Sequence, residues 1–404
     1  MIYLLVFISL TRELYAQYFQ LPQDSAALKP IRVSSDFECG SIDTLIISGN
    51  LLQGKTKHWK QADHFGDQYY WFYFRLDHVR NQEVTIQLND LIGIYRKSIH
   101  TVYDNRTQPV FSYDNKHWLR ITNTSYNEKD HSFTFIQKFS ENHVWIAYAH
   151  PYSYSRGCDF ISSLLSKPFV EIERIGHSGE RRDINLLTIT DKSLPNSGKA
   201  VVFITALQHS GEYPSGFIVE GLVNFLISED LAAAEARKNT VFKIIPMLNP
   251  DGIIHGITRY NASFQDLNAE WDDMVSDTLN YPVEPEVACV QNWLDAWFKN
   301  GNTINLHIDL HSQSQQGTRN VMHMPVKGML KEYSALLNCY FEIDYLPMMF
   351  YGSLTNYMNT IYDMPTTVFE ITQSAIGRGT YLTDKDYEYY GEGIVRACRD
   401  YFSK

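Results

Sequence analysis

Residues 201–216 read VVFITALQHSGEYPSG, and the fold turns on how this stretch is read. Val201 to Ala206 form an apolar, β-branched run with the composition of a buried strand. The run breaks into a polar loop carrying His209 and Glu212, and a helix-like segment starts near Pro214. A buried strand that delivers a histidine and a carboxylate at its C-terminal end is a common way to build a metal or catalytic site. The four-residue match is weak by itself, because HSGE occurs again at His177 to Glu180. The surroundings separate the two copies. The first copy joins FVEIERIG (169–176) to INLLTIT (184–190), so it reads as a polar hairpin turn.

The rest of the C-terminal part repeats the strand-then-helix pattern. VFKIIPML (241–248), TINLHIDLHS (303–312) and TTVFEI (366–371) read as strands. Ser215–Ile227, Pro285–Asn300 and Lys385–Phe402 read as helices, with apolar residues at helical spacing. This alternation implies an α/β fold, a mostly parallel mixed sheet with helices on both faces. Upstream, YYWFYFRLDHV (69–79), EVTIQLNDL (83–91), SFTFIQKF (132–139) and HVWIAYA (143–149) are short strands separated by Asn/Asp-rich turns. They suggest a β-sandwich. The expected organisation is a candidate signal peptide at 1–16, a β-sandwich at 17–150 and a catalytic domain at 151–404.

Composition narrows the function classes. The chain has 404 residues, 44% hydrophobic and 20% charged, which is ordinary globular protein. A formal charge of −11 argues against a general nucleic-acid binder. The five cysteines are widely spaced and form no C-x-x-C, so they read mostly as buried thiols. Ile2 to Leu10 are apolar and too few to span a bilayer, and no later run reaches spanning length. With Leu14-Tyr15-Ala16 as a cleavage site, the start implies export, hence a periplasmic or secreted protein, with a cytoplasmic one as the alternative.

The chemistry gathers at strand ends. In TINLHIDLHS, Ile304, Leu306, Ile308 and Leu310 point to one side, and Asn305, His307, Asp309 and His311 to the other. A buried row of this kind needs polar partners. His307 reads as a hydrogen-bonded core histidine, whereas His311 lies at the C-terminal end where α/β sheets place their sites. Glu370 interrupts the apolar strand TTVFEI, as a carboxylate with raised pKa or one set against a metal-bound water would. Two histidines and a carboxylate, a short pair plus a distant third, fit a catalytic zinc with an open position.

The ordered set HSGE (209–212), NPDG (249–252), Arg259, DLN-x-x-W (266–271), DLHS (309–312) and FE (369–370) resembles the zinc metallocarboxypeptidases. It is similar above all to the branch of cytosolic carboxypeptidases and their bacterial relatives, which carries an N-terminal β-domain with features like WFYFRL (71–76) and PYSYS (151–155). The resemblance implies His209, Glu212 and His311 as zinc ligands and Glu370 as general base and acid. It implies that Arg259 polarises the scissile carbonyl, Asp266 orients His209, and Asn268 binds the terminal carboxylate of a peptide or protein substrate. One departure stands out: the arginine that follows Asn in the family, a clamp on that carboxylate, is Ala269 here. Arg319 and Arg378 are candidate replacements, and Tyr351 is a candidate for the family's mobile tyrosine. Three readings therefore stay open: a carboxypeptidase, a zinc amidase or peptidase for substrates without an ordinary C-terminal carboxylate, and an inactive binding protein.

Overall fold

The computed structural model describes residues 29–60, 67–95, 98–271, 283–324, 330–348, 350, 352–373, 375–376 and 380–403. Tyr351, Arg378 and the N-terminal residues 1–16 lie outside them. The N-terminal part contains two five-stranded sheets. One orders Arg32–Ser34, Tyr73–Asp77, His143–Ala147, Val110–Ser112 and Leu119–Arg120; the other Thr124–Asn127, Ser132–Lys138, Glu83–Asn89, Leu51–Lys55 and Thr44–Ser48. Alternation decides which residues meet between them. Val84, Ile86 and Leu88 are fully buried, as are Phe72, Phe74, Phe133 and Phe135. Phe72 stacks on Phe135 with ring centroids 5.8 Å apart. The aromatic run is core.

The C-terminal part is built on one eight-stranded mixed sheet. Its strands are β1 Val170–His177, β2 Asp183–Ile189, β3 Ala200–Ala206, β4 Thr240–Ile245, β5 Leu306–Ser312, β6 Val321–Met324, β7 Asp344–Pro347 and β8 Thr366–Ile371. They lie in the order β1-β2-β4-β3-β5-β8-β6-β7. The centre, β4-β3-β5-β8, is parallel, and β2 and β6 pair antiparallel to it. Parallel central strands are covered on both faces, which is why VVFITA and LHIDLHS are buried almost throughout.

The helices are α1 Tyr154–Ser163, α2 Pro214–Leu226, α3 Leu231–Asn239, α4 Pro250–Ile254, α5 Pro285–Lys299, α6 Lys331–Leu337, α7 Leu354–Tyr362 and α8 Asp384–Phe402. Helix α2 starts with proline at its first turn, where the missing N–H costs nothing. It is buried nearly all round because α8 packs across it. That crossing needs glycine: a Cβ on Gly221 would meet the Glu388 carbonyl oxygen at 2.1 Å, and one on Gly391 the Ile218 oxygen at 2.1 Å. No described helix is long and apolar enough to cross a membrane. All five cysteines are free thiols; Cys39, Cys289 and Cys398 are buried, Cys158 is half-buried and Cys339 exposed.

The β-sandwich is bonded to the loops that leave the central strands. The Trp71 ring packs on Tyr213, next to Glu212, at 4.7 Å. Trp71 Nε1 donates to the Cys39 oxygen at 3.1 Å, and Cys39 N to the Ile254 oxygen at 3.0 Å. Gln315, just beyond β5, donates through its N to the Tyr148 hydroxyl and accepts from Gln108 N, both at 3.0 Å.

Candidate metal and catalytic site

Strand β3 ends in a strained turn. Leu207 holds φ at 54°, a left-handed conformation costly for a branched side chain, on the order of 1–3 kcal/mol. It is held there because Asn249 N donates to the Leu207 oxygen at 3.0 Å. Asn249 also donates through Nδ2 to the Gln208 and Tyr260 carbonyls, each at 3.1 Å. The NPDG turn thus braces the His209 loop and the Arg259 turn together. Its Asp251, fully buried, accepts from Ser178 Oγ at 2.7 Å, Glu180 N at 2.8 Å and Arg182 Nη1 at 2.6 Å. The first HSGE copy is therefore a hairpin turn that anchors Asp251.

His209, Glu212 and His311 converge, with one ligand atom of each within 4.8 Å of the others. All three are buried, at 3%, 8% and 1% exposure. Glu212 Oε1 lies 2.8 Å from His209 Nδ1, Glu212 Oε2 lies 2.8 Å from His311 Nδ1, and the two Nδ1 atoms are 3.1 Å apart. The other ring nitrogens face buried aspartates: His209 Nε2 to Asp266 Oδ1 at 3.1 Å, His311 Nε2 to Asp309 Oδ2 at 3.0 Å. An aspartate accepts only, so it draws the proton to Nε2 and leaves each Nδ1 a lone pair. Two lone pairs and a carboxylate aimed at one point repel one another unless a cation lies between them. Ligand atoms about 2.1 Å from a tetrahedral zinc stand roughly 3.4 Å apart, so these separations need to open by only a few tenths of an ångström. The donor set fits zinc.

Glu370 sits beside this triangle because β5 and β8 run in parallel register, with His311 opposite Glu370. Burial, and then the charge of Glu212, push its carboxyl up to about 7. A carboxyl poised there can both take and give a proton near neutrality. Burial pushes the Asp266 carboxyl up, but Arg259 and His209 together hold it well below the usual range. Arg259 Nε donates to Asp266 Oδ2 at 2.6 Å. Asp266 thus ties His209 and Arg259 into one unit.

Asn268 lies on the turn Leu267–Ala269, its N capped by Asp266 Oδ1 at 3.1 Å. Its Oδ1 accepts from Leu354 N at 3.0 Å, which fixes the amide orientation, and its Nδ2 lies 3.3 Å from His311 Nε2. That histidine nitrogen gives its proton to Asp309, so it does not accept from the Asn268 amide. Ala269 is 8% exposed. Arg319 pairs with Asp344 at 2.9 Å and its side chain is 72% exposed, so it is engaged on edge strand β7. His307 is a satisfied core histidine: Thr366 Oγ1 lies 2.8 Å from Nδ1, Thr205 Oγ1 3.1 Å from Nε2, and burial pushes the ring down to about 4.

Sequence reasoning placed Asp309 in the polar row without giving it a role. Its signal was the i, i+2 spacing to His311, which puts both side chains on one face of β5. It also gave no role to Tyr70 of the β-sandwich, whose hydroxyl feels the charges of Glu212, Arg259 and Glu370.

The sequence matches the zinc carboxypeptidase family over residues 160–323 and the cytosolic carboxypeptidase N-terminal domain over residues 33–149. It is 26% identical over 369 residues to cytosolic carboxypeptidase 6 of Homo sapiens, covering 82% of this chain and 71% of that protein. It is 31% identical over 262 residues to cytosolic carboxypeptidase 6 of Mus musculus, covering 60% of this chain and 46% of that protein, so it spans less than half of that relative. Among solved structures, the metallo-carboxypeptidase from Burkholderia cenocepacia superposes with a TM-score of 0.78 at 21% identity, over 92% of this chain and 99% of that one. The metallo-carboxypeptidase from Pseudomonas aeruginosa, in complex with (2-guanidinoethylmercapto)succinic acid, gives 0.75 at 22%, over 91% and 98%. These two share the fold described above. The expectation of an exported protein is overturned: the relatives include cytosolic carboxypeptidases 6 and 3, which points to the cytoplasm.

Proposed function

The chain belongs to the zinc carboxypeptidase family, and on that premise we propose that it hydrolyses the C-terminal amide bond of a peptide or protein. The observation that carries this reading is the convergence of His209, Glu212 and His311 with Glu370 in register beside them. His209, Glu212 and His311 would hold the ion; bound there, zinc polarises the carbonyl and brings the pKa of a water to roughly 7. Glu370 takes the proton of the attacking water and returns it to the leaving amine. Arg259, steered by Asp266, holds the carbonyl oxygen as it gains charge, usually the largest catalytic term. The Asn268 amide donates to the terminal carboxylate.

Ala269 supports a second reading. A bidentate guanidinium is the strongest carboxylate partner available, and the family's position for it holds a methyl group. A zinc amidase or peptidase for a substrate without an ordinary C-terminal carboxylate, such as a cell-wall peptide or a modified amino acid, needs no clamp there. Metal analysis tests the shared part. Purified protein is expected to carry one zinc, and a chelator to abolish hydrolysis. Hydrolysis that survives complete zinc removal contradicts both readings.

A further inference from the structure

Tyr70 belongs to the β-sandwich, yet its hydroxyl lies within electrostatic reach of Glu212, Arg259 and Glu370. Its backbone oxygen accepts from the Tyr103 hydroxyl at 2.6 Å, and its ring lies 5.4 Å from Tyr148. Tyr148 is fixed in turn by Gln315, just past His311 and Ser312. The next residue, Trp71, packs on Tyr213, just past Glu212. Tyr70 is therefore held between the two loops that carry the metal-binding residues. Its hydroxyl lies beside Thr258, and the charges acting on it come from Glu212, Arg259 and Glu370. The buried Thr258 Oγ1 has no hydrogen-bond partner within bonding geometry among the described residues.

A carbonyl that is to be attacked must lie between the metal triangle, the Glu370 carboxylate and the Arg259 guanidinium, and the charges of Glu212, Glu370 and Arg259 all act on the Tyr70 hydroxyl. We propose that Tyr70 is the second hydrogen-bond donor, with Arg259, to the oxygen of the scissile carbonyl, so that the β-sandwich contributes one residue to the reacting centre. This rests on the peptidase reading above. Burial, and then the Glu212 charge, raise the phenol far above its ordinary value. It stays protonated and acts only as a donor, which distinguishes it from the base Glu370. The role also gives the N-terminal part a catalytic reason to be bonded to the sheet.

The test is Tyr70→Phe in the full-length, zinc-loaded protein, which keeps the ring on Tyr148 and removes one hydroxyl. Removing such a donor is expected to lower kcat by about ten-fold or more. KM is expected to stay within about three-fold, since the lost bond tightens only as the oxygen gains charge. Zinc content and thermal midpoint stay those of the parent. A second readout needs no turnover: affinity for a phosphinic pseudopeptide, which mimics the tetrahedral oxygen, falls by the same factor as kcat/KM. Binding of an intact peptide to Glu370→Gln is unchanged by adding Tyr70→Phe. A kcat within about two-fold of the parent, or equal losses for the mimic and the intact peptide, overturns the proposal. If the parent protein hydrolyses no peptide at all, the peptidase reading falls and the proposal with it.

Discussion

Replacing Asp309 by Asn changes one atom of a buried carboxylate and leaves its volume intact. Asp309 Oδ1 accepts from Thr205 Oγ1 at 2.6 Å, and Oδ2 accepts from His311 Nε2 at 3.0 Å and, weakly, from Gln208 Nε2 at 3.4 Å. An asparagine has one oxygen for these two groups of donors. If it faces His311, the amide NH2 replaces the acceptor of the Thr205 hydroxyl, which can rotate to accept instead. If it faces Thr205, two N–H groups oppose each other at His311 and the ring loses its tautomer. In either case a charge-assisted bond becomes neutral, at a cost of about 1.5–3 kcal/mol. At about 1.4 kcal/mol per factor of ten, zinc affinity falls roughly 10- to 100-fold, the usual effect of losing a histidine's orienting carboxylate. Competition titration with a fluorescent zinc chelator measures it directly. Asp309→Asn that binds zinc as tightly as the parent would show that His311 needs no orientation from β5, and the tautomer argument would fail.

Other outcomes follow from the same geometry. Glu370→Gln keeps zinc and lowers kcat by about 100-fold or more, the scale of a lost general base, checked by steady-state kinetics beside metal analysis. Gly221→Ala pushes a methyl into the Glu388 backbone where α2 crosses α8, and destabilises by on the order of 2 kcal/mol in chemical unfolding. Glu270 is half-buried, and burial, then Glu284 and Asp266, push its carboxyl up to about 8 from 4.5. Between those values the folded state keeps a proton that the unfolded state has lost, so this group's contribution to stability falls as pH rises through that window. Glu270→Gln is expected to raise the thermal midpoint at pH 8 and to leave it nearly unchanged at pH 5; equal shifts at both pH values would contradict the assignment.

The fold could be read where pattern is local. The alternation in TINLHIDLHS places Leu306, Ile308 and Leu310 on one face of β5 and His307, Asp309 and His311 on the other. The apolar run before His209 marks the adjacent strand, to which β5 pairs in parallel. The convergence of His209, Glu212 and His311 was legible because each sits at or just past such a strand end and the surrounding motifs occur in order. What pattern could not supply is register and long-range approach. Opposition of His311 and Glu370 depends on how β5 and β8 align. Asp251 being claimed by the Ser178 turn depends on a hairpin folding back. The arrival of Tyr70 depends on how the β-sandwich docks, and an aromatic run gives no sign of which ring faces out of the core. Arg319 shows the same limit in reverse, since its loop position gave no hint of the Asp344 pair.

The central claim is that the His209, Glu212 and His311 triangle with Glu370 removes residues from a peptide C-terminus. Mass spectrometry of one peptide offered with a free and with an amidated C-terminus, using the zinc-loaded protein and its Glu370→Gln variant, tests it most directly. The account predicts stepwise loss of single residues from the free form, little loss from the amidated form, and none with Glu370→Gln. Equal cleavage of both forms, or full cleavage by Glu370→Gln, would contradict it.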